Sequence, residues 1–179
     1  MRVFGDLCMV GLCRRRSSIL EKRSRRSTWS WWKTLKDEGL GIDAMWDFQD
    51  LEGSEARFRA ALAEAVEDAP GPHCELLTQI ARTLGLRKRF DEAHSLIAEA
   101  EGLGCVEPRC LIRIALERGR VFNSSGSKEQ ARPFFLRSWE LAVESGEEDL
   151  EVDAAHMLAI VGTPEESVAW NEKALATAR

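Results

Sequence analysis

The feature that most constrains the fold is a short pattern of small and apolar residues that occurs three times in the chain. In each copy the residues stand four and then three positions apart, which places them on one face of an α-helix. The second copy starts 38 residues after the first, and the third starts 36 residues after the second. The copies are Ala93, Ile97 and Ala100; Ala131, Phe135 and Ser138; and Ser167, Asn171 and Ala174. The chain is therefore predicted to contain three equivalent helices at a regular interval.

A second helix is predicted before each copy. Twelve residues ahead of each copy stands a small residue, and a bulky apolar residue follows it three positions later. These pairs are Ala81 and Leu84, Gly119 and Phe122, and Ala155 and Leu158. Small residues let two helices approach closely, and bulky residues fill the groove between them. The intervening segments GLRKR, NSSGS and VGT contain the Gly and Ser that are typical of turns.

Two features depart from a strict repeat. The segment ESGEEDLE, residues 144–151, predicts an extended loop between the second and third units. Pro133 falls early in the second helix of its unit. Placement in the first turn would make this proline tolerable, because the amide hydrogen that it lacks has no partner there.

The pattern resembles the tetratricopeptide repeat, a helix–turn–helix unit of about 34 residues. The segment WNEKAL, residues 170–175, is the most similar to the second helix of that family. The resemblance implies an all-α domain at 45–179, built as a right-handed α-solenoid of about three and a half antiparallel helix pairs. Other repeats of helix pairs would produce much of the same pattern. The approximate units are 46–70, which is partial, 74–107, 112–145 and 148–179.

The resemblance also implies where a ligand would bind, because in this family the first helix of each unit lines a concave groove. The groove residues implied in this way are Gln79, Arg82, Arg113, Glu117, Arg120, Asn123, Asp153 and His156. Three arginines among them would form a basic strip that suits an acidic peptide, although charged residues on a solvated face would give the same pattern. Thr78 and Arg82 stand where chaperone-binding members have Lys and Asn, which argues against binding of chaperone tails. The function expected is a non-catalytic scaffold or adaptor that binds a protein or peptide.

The first 44 residues differ from the rest in charge. They contain 10 Lys and Arg against 5 Asp and Glu, whereas the other 135 residues contain 15 and 25. Arginines and three tryptophans within residues 14–36 give the alternative hypothesis of a nucleic-acid-binding or membrane-surface arm. An organelle transit peptide has a similar composition. The simpler interpretation is a disordered tail, or sequence upstream of a native start at Met45.

The remaining residue types predict no enzyme, no cofactor and no metal site. Four residues separate Cys105 from Cys110, and His73 and Cys74 are adjacent, which is looser than the paired spacing of zinc sites. No catalytic triad or phosphate-binding glycine loop is legible. Five cysteines, an odd number at low density, favour reduced thiols in the cytoplasm. No apolar run reaches the roughly 18 residues of a membrane span.

A final expectation concerns the last predicted helix. An α-solenoid needs a terminal helix with a polar outer face, and no separate capping helix follows this one. We therefore expect Val168, Trp170 or Leu175 to leave apolar surface that favours self-association or a partner.

Overall fold

The computed structural model describes residues 42–65 and 70–179, and within these ranges it is all-α, with no β-strand. A short 3₁₀ helix, Ile42–Met45, precedes seven α-helices. The helices are α1 (Leu51–Glu64), α2 (Pro70–Leu86), α3 (Phe90–Gly102), α4 (Pro108–Ser124), α5 (Lys128–Ser145), α6 (Glu148–Val161) and α7 (Pro164–Thr177). None of the helices in the described ranges combines the length and the apolar character needed to cross a bilayer. The predicted all-α class is confirmed.

The helices pack mainly against their neighbours in the chain. Each of α1 to α6 contacts the helix that follows it, and two further contacts join α2 to α4 and α4 to α6. Each of the three predicted units is a pair of helices joined by a turn of two or three residues. The first helices of these pairs are α2, α4 and α6. They lie side by side, because α4 contacts both α2 and α6.

In the first two copies the repeated small and apolar residues pack between the helices, as the pattern predicts. In the first and second copies all six residues are completely buried. Gly119 on α4 lies directly against Phe135 on α5, where a Cβ added to the glycine would collide with the phenyl ring. Glycine at this position therefore lets α4 and α5 pack closely around a fully buried aromatic side chain.

Two local predictions are wrong. The segment ESGEEDLE is mostly helical, because α5 ends at Ser145 and α6 begins at Glu148. The chain reverses at Gly146, whose φ of 72° is a left-handed conformation that favours glycine. Pro133 is the sixth residue of α5 and so lies in the second turn. The carbonyl that loses a helical partner there belongs to the exposed Glu129, so water can bind it.

The last helix differs from its predecessors in burial. No residue of α7 is buried, and the side chains of Val168 and Leu175 are 59% and 55% exposed. Trp170 is partly covered, because its ring packs edge-on against Trp139 with a centroid distance of 5.1 Å. Val168 and Leu175 thus leave the apolar surface that we expected, and self-association through it stays a prediction.

Candidate functional site

The first helices of the three pairs surround a cavity of about 300 Å³. Its walls come from α2, α4 and α6. The lining residues are Arg82, Gly85, Leu86, Glu117, Arg120, Val121, Ser124, Asp153, His156 and Met157. Five of the eight groove residues implied by the sequence therefore meet at one cavity: Arg82, Glu117, Arg120, Asp153 and His156.

A network of ion pairs joins the three walls of the cavity. Glu117 on α4 is fully buried and accepts a hydrogen bond of 2.5 Å from Arg120, one turn further along the same helix. Arg82 on α2 lies 3.7 Å from the same carboxylate oxygen of Glu117. Arg120 also donates to the carboxylate of Asp153 on α6. Two arginines and two carboxylates thus face the cavity, and their formal charges cancel.

Burial and ion pairing act in opposite directions on the two guanidinium groups. Burial alone would lower the pKa of Arg120, but Glu117 and Asp153 outweigh it and raise that pKa above its ordinary value. Burial lowers the pKa of Arg82, and Glu117 only partly opposes this effect. Both side chains remain cations at neutral pH, because an arginine pKa is above 12 to begin with.

Arg82 is held more loosely than Arg120. Its side chain is 24% exposed, and its guanidinium forms no hydrogen bond with any residue that the structure describes. The guanidinium carbon lies 5.4 Å from the ring centroid of Trp46 and 5.8 Å from that of Phe48. These two rings stack on each other at 4.9 Å. Cation–π contacts therefore position Arg82 while its N–H groups stay available to a ligand.

Trp46 and Phe48 are site residues that the sequence analysis missed. Trp46 also donates a hydrogen bond of 2.9 Å from Nε1 to Oε1 of Gln79, across 33 positions of the chain. Both aromatic residues precede α1, outside any copy of the repeated pattern. The sequence does show two aromatic residues before the first helix. It has no local pattern that indicates their contact with α2.

The other three predicted groove residues do not line the cavity. Gln79 is buried beneath Trp46, Arg113 is only 6% exposed, and Asn123 is half-buried. The Nε atom of Arg113 lies 3.8 Å from the carboxylate of Glu75. Each arginine of the expected basic strip therefore has a carboxylate within 4 Å. The strip is an ion-paired surface, which corrects the expectation of open positive charge.

A second ion network lies nearer the N-terminal ends of the same three helices and centres on Arg109, which the sequence analysis did not select. Its guanidinium binds Glu75 at 3.2 Å, Glu147 at 2.5 Å and Asp149 at 3.0 Å. Burial would raise the pKa of Asp149, but Arg109 outweighs it and holds that pKa below its ordinary value. This network ties α2, α4 and the start of α6 together.

Outside the cavity, the part of the chain that the structure describes contains one group of donors suited to a metal ion. Ligand atoms of Cys105, Glu107 and Cys110 lie within 4.8 Å of one another. Burial raises the pKa of the Cys105 thiol to about 11. The neighbouring Cys74 thiol, together with burial, raises the pKa of the Cys110 thiol as well. Without a metal these groups are therefore protonated thiols at neutral pH.

The hypothesis of a basic arm at residues 14–36 lies outside the described residues, as does most of the predicted segment 1–44. Comparison with known proteins adds no family to the structural description. No protein-family model, no curated protein and no solved structure matches this chain.

Proposed function

We propose that the helical domain is a tetratricopeptide-like α-solenoid that binds a peptide or a protein segment, without catalysis, along α2, α4 and α6. The packing of first helices against one another supports this proposal, since it gathers them on one side of the array. The cavity between these helices supports it further, because its walls carry both charged and apolar side chains.

Arg82 is the observation that carries the proposal. It is a half-buried cation at the cavity wall, positioned by two aromatic rings and free of hydrogen bonds to the other described residues. A carboxylate of the partner would receive two parallel hydrogen bonds from this guanidinium. Arg120 is already bound by Glu117 and Asp153, so an acidic ligand would have to displace one of them to reach it. The acidic partner proposed here therefore depends on Arg82 rather than on a basic strip.

Selection of binders from a random peptide library displayed on phage tests the proposal. We expect the full-length chain to enrich peptides that contain Asp or Glu beside apolar residues. Affinities of the enriched peptides would then be measured by fluorescence anisotropy for the wild type and for Arg82→Gln. Removal of one charged hydrogen-bonding partner should weaken binding by about tenfold or more.

Arg132→Gln is the matched control, because Arg132 is also an ion-paired arginine but does not line the cavity. It should bind the selected peptides as the wild type does. Failure to enrich any peptide, or equal affinities for Arg82→Gln and the wild type, would contradict the proposal.

A further inference from the structure

We propose that Cys74, Cys105, Glu107 and Cys110 form a zinc site that joins the start of α2 to the start of α4. The site is separate from the cavity and does not depend on the proposed function. It combines three thiols and one carboxylate, all of which are side chains that bind Zn²⁺.

The turn before α4 brings three of the four donors together. Glu107 is the N-cap of α4, Pro108 is its first residue, and Cys110 stands in its first turn. Cys105 lies two residues before the cap. This reversal of the chain places the Cys105 and Cys110 sulfurs and a Glu107 carboxylate oxygen within 4.8 Å of one another. Ligand atoms of a tetrahedral zinc site are about 3.8 Å apart for Zn–S bonds near 2.3 Å, so no two of these three atoms are more than about 1 Å too far apart to share an ion.

Cys74 supplies the fourth donor from another helix. It lies near the start of α2 and is fully buried, and its thiol contributes to the raised pKa of the nearby Cys110. Its sulfur is not among the three ligand atoms that lie within 4.8 Å of one another, so this side chain would turn towards the ion on binding. Cys110 is 3% exposed, and its sulfur lies 3.5 Å from the carbonyl oxygen of Gly71. A metal bound to both sulfurs would connect two helices through residues that are far apart in the chain, as structural zinc ions commonly do.

Gly71 makes room for the carboxylate. A Cβ at this position would clash with the carboxylate of Glu107, which lies against the first turn of α2. Glu107 is itself exposed, whereas the three sulfurs are buried. The cluster therefore has one side open to solvent, through which an ion could enter, and an interior of thiols. Ordinary core cysteines would be distributed among apolar side chains and would not require a carboxylate beside them.

Cobalt is the appropriate probe, because Co²⁺ adopts the tetrahedral geometry of zinc and absorbs visible light. The reduced full-length chain would be titrated with Co²⁺ alone and followed by absorption spectroscopy. We expect one Co²⁺ per chain, with thiolate-to-cobalt charge-transfer bands, d–d bands of a tetrahedral site, and displacement by one equivalent of Zn²⁺. Cys105→Ser should weaken the affinity at least tenfold and reduce the charge-transfer intensity.

Two variants test whether the metal binds at this cluster and not at the cysteines near the start of the chain. Glu107→Gln changes an exposed side chain, so the protein should fold, and it should alter the d–d bands while the charge-transfer intensity remains. The double variant Cys8→Ser/Cys13→Ser is the control, because these cysteines have the same spacing as Cys105 and Cys110. Its titration should match that of the wild type.

Three results would each overturn the proposal. One is a wild-type chain that gives no charge-transfer band. Another is a spectrum that stays unchanged both in Cys105→Ser and in Glu107→Gln. The third is loss of the signal in the Cys8→Ser/Cys13→Ser control. Circular dichroism of every variant would show whether a lost signal reflects loss of the ligand or loss of the fold.

Discussion

The second and third helix pairs carry the same sequence pattern but differ in what they bury. On α5, the residues Ala131, Phe135 and Ser138 are completely buried, whereas no residue at the equivalent positions of α7 is buried. The reason is packing on both sides, since α5 contacts both α4 and α6, and α7 has its main contact with α6 alone. A repeated position therefore contributes to the core only where another helix covers it.

The largest expected difference between the two pairs concerns the middle position of the pattern. Phe135→Ala should lower the free energy of unfolding by about 3–5 kcal/mol, because it leaves a cavity between α4, α5 and α6. Asn171→Ala, at the equivalent exposed position of α7, should change it by less than about 0.5 kcal/mol. Urea denaturation followed by circular dichroism measures both values. Equal losses in the two variants would show that α7 is covered in solution and would break the comparison.

The close approach within the second pair can be tested through its glycine. Gly119→Ala should destabilise the protein by about 1–3 kcal/mol, since the new methyl group collides with the Phe135 ring. Gly85→Ala on α2 is the matched control, because its Cβ would meet Val121 at an ordinary 3.5 Å. Helix propensity then dominates, and we expect that variant to gain up to about 1 kcal/mol. If Gly119→Ala and Gly85→Ala shifted the melting temperature in the same direction, a steric role for Gly119 would be contradicted.

The N-terminal cap contributes more to the stability of α7 than to that of α5. The Thr163 hydroxyl accepts a hydrogen bond from the Glu166 amide, while the Glu166 carboxylate accepts one from the Thr163 amide. Ser127, at the same place before α5, makes no side-chain cap. Thr163→Ala should therefore cost about 0.5–2 kcal/mol, and Ser127→Ala less than about 0.5 kcal/mol. Hydrogen exchange should show the loss as faster exchange in α7, and uniform acceleration through α4 and α5 would refute a local effect.

The smallest effect expected is a pH dependence at the contact between α5 and α7. The Thr163 amide holds the pKa of Glu166 below its ordinary 4.5. Arg132, at 2.7 Å from the carboxylate, has a smaller effect in the same direction. Because this carboxyl has a lowered pKa in the folded state, its stabilisation is present above pH 4.5 and is lost as the pH falls through the folded value. Arg132→Gln should raise the Glu166 pKa towards 4.5, as measured by NMR titration of its carboxyl carbon. The stability difference between Arg132→Gln and the wild type should disappear in acid, and its persistence there would exclude the ion pair as the cause.

The sequence predicted the helices because they depend on local spacing. The resemblance to the tetratricopeptide repeat, mapped onto the first helices, implied five of the residues that line the cavity: Arg82, Glu117, Arg120, Asp153 and His156. Their ion pairing could not be predicted in this way, since it depends on the distances between three helices. The extended loop predicted at residues 144–151 was wrong because α6 begins at Glu148, where the acidic residues suit the first turn of a helix.

The aromatic pair and the thiol cluster show the same limit more clearly. Trp46 reaches Gln79 across 33 positions, and the Cys110 thiol on α4 reaches the Gly71 carbonyl on α2 across 39. Neither contact leaves a periodic signal in the chain, because each joins residues that belong to different elements. For Cys105 and Cys110 the linear spacing gave no indication of this proximity, because a turn and a helix start bring the two thiols and the Glu107 carboxylate close together.

The sequence by itself determined that this chain forms helices in pairs and which side of each helix packs, because a spacing of three and four residues is a local property of the polypeptide. Only the tertiary structure decided which copies of the pattern are buried, which arginines are neutralised, and which groups lie beside the buried thiols. Burial and charge pairing depend on atoms supplied by other helices, and their positions follow from how the helices pack.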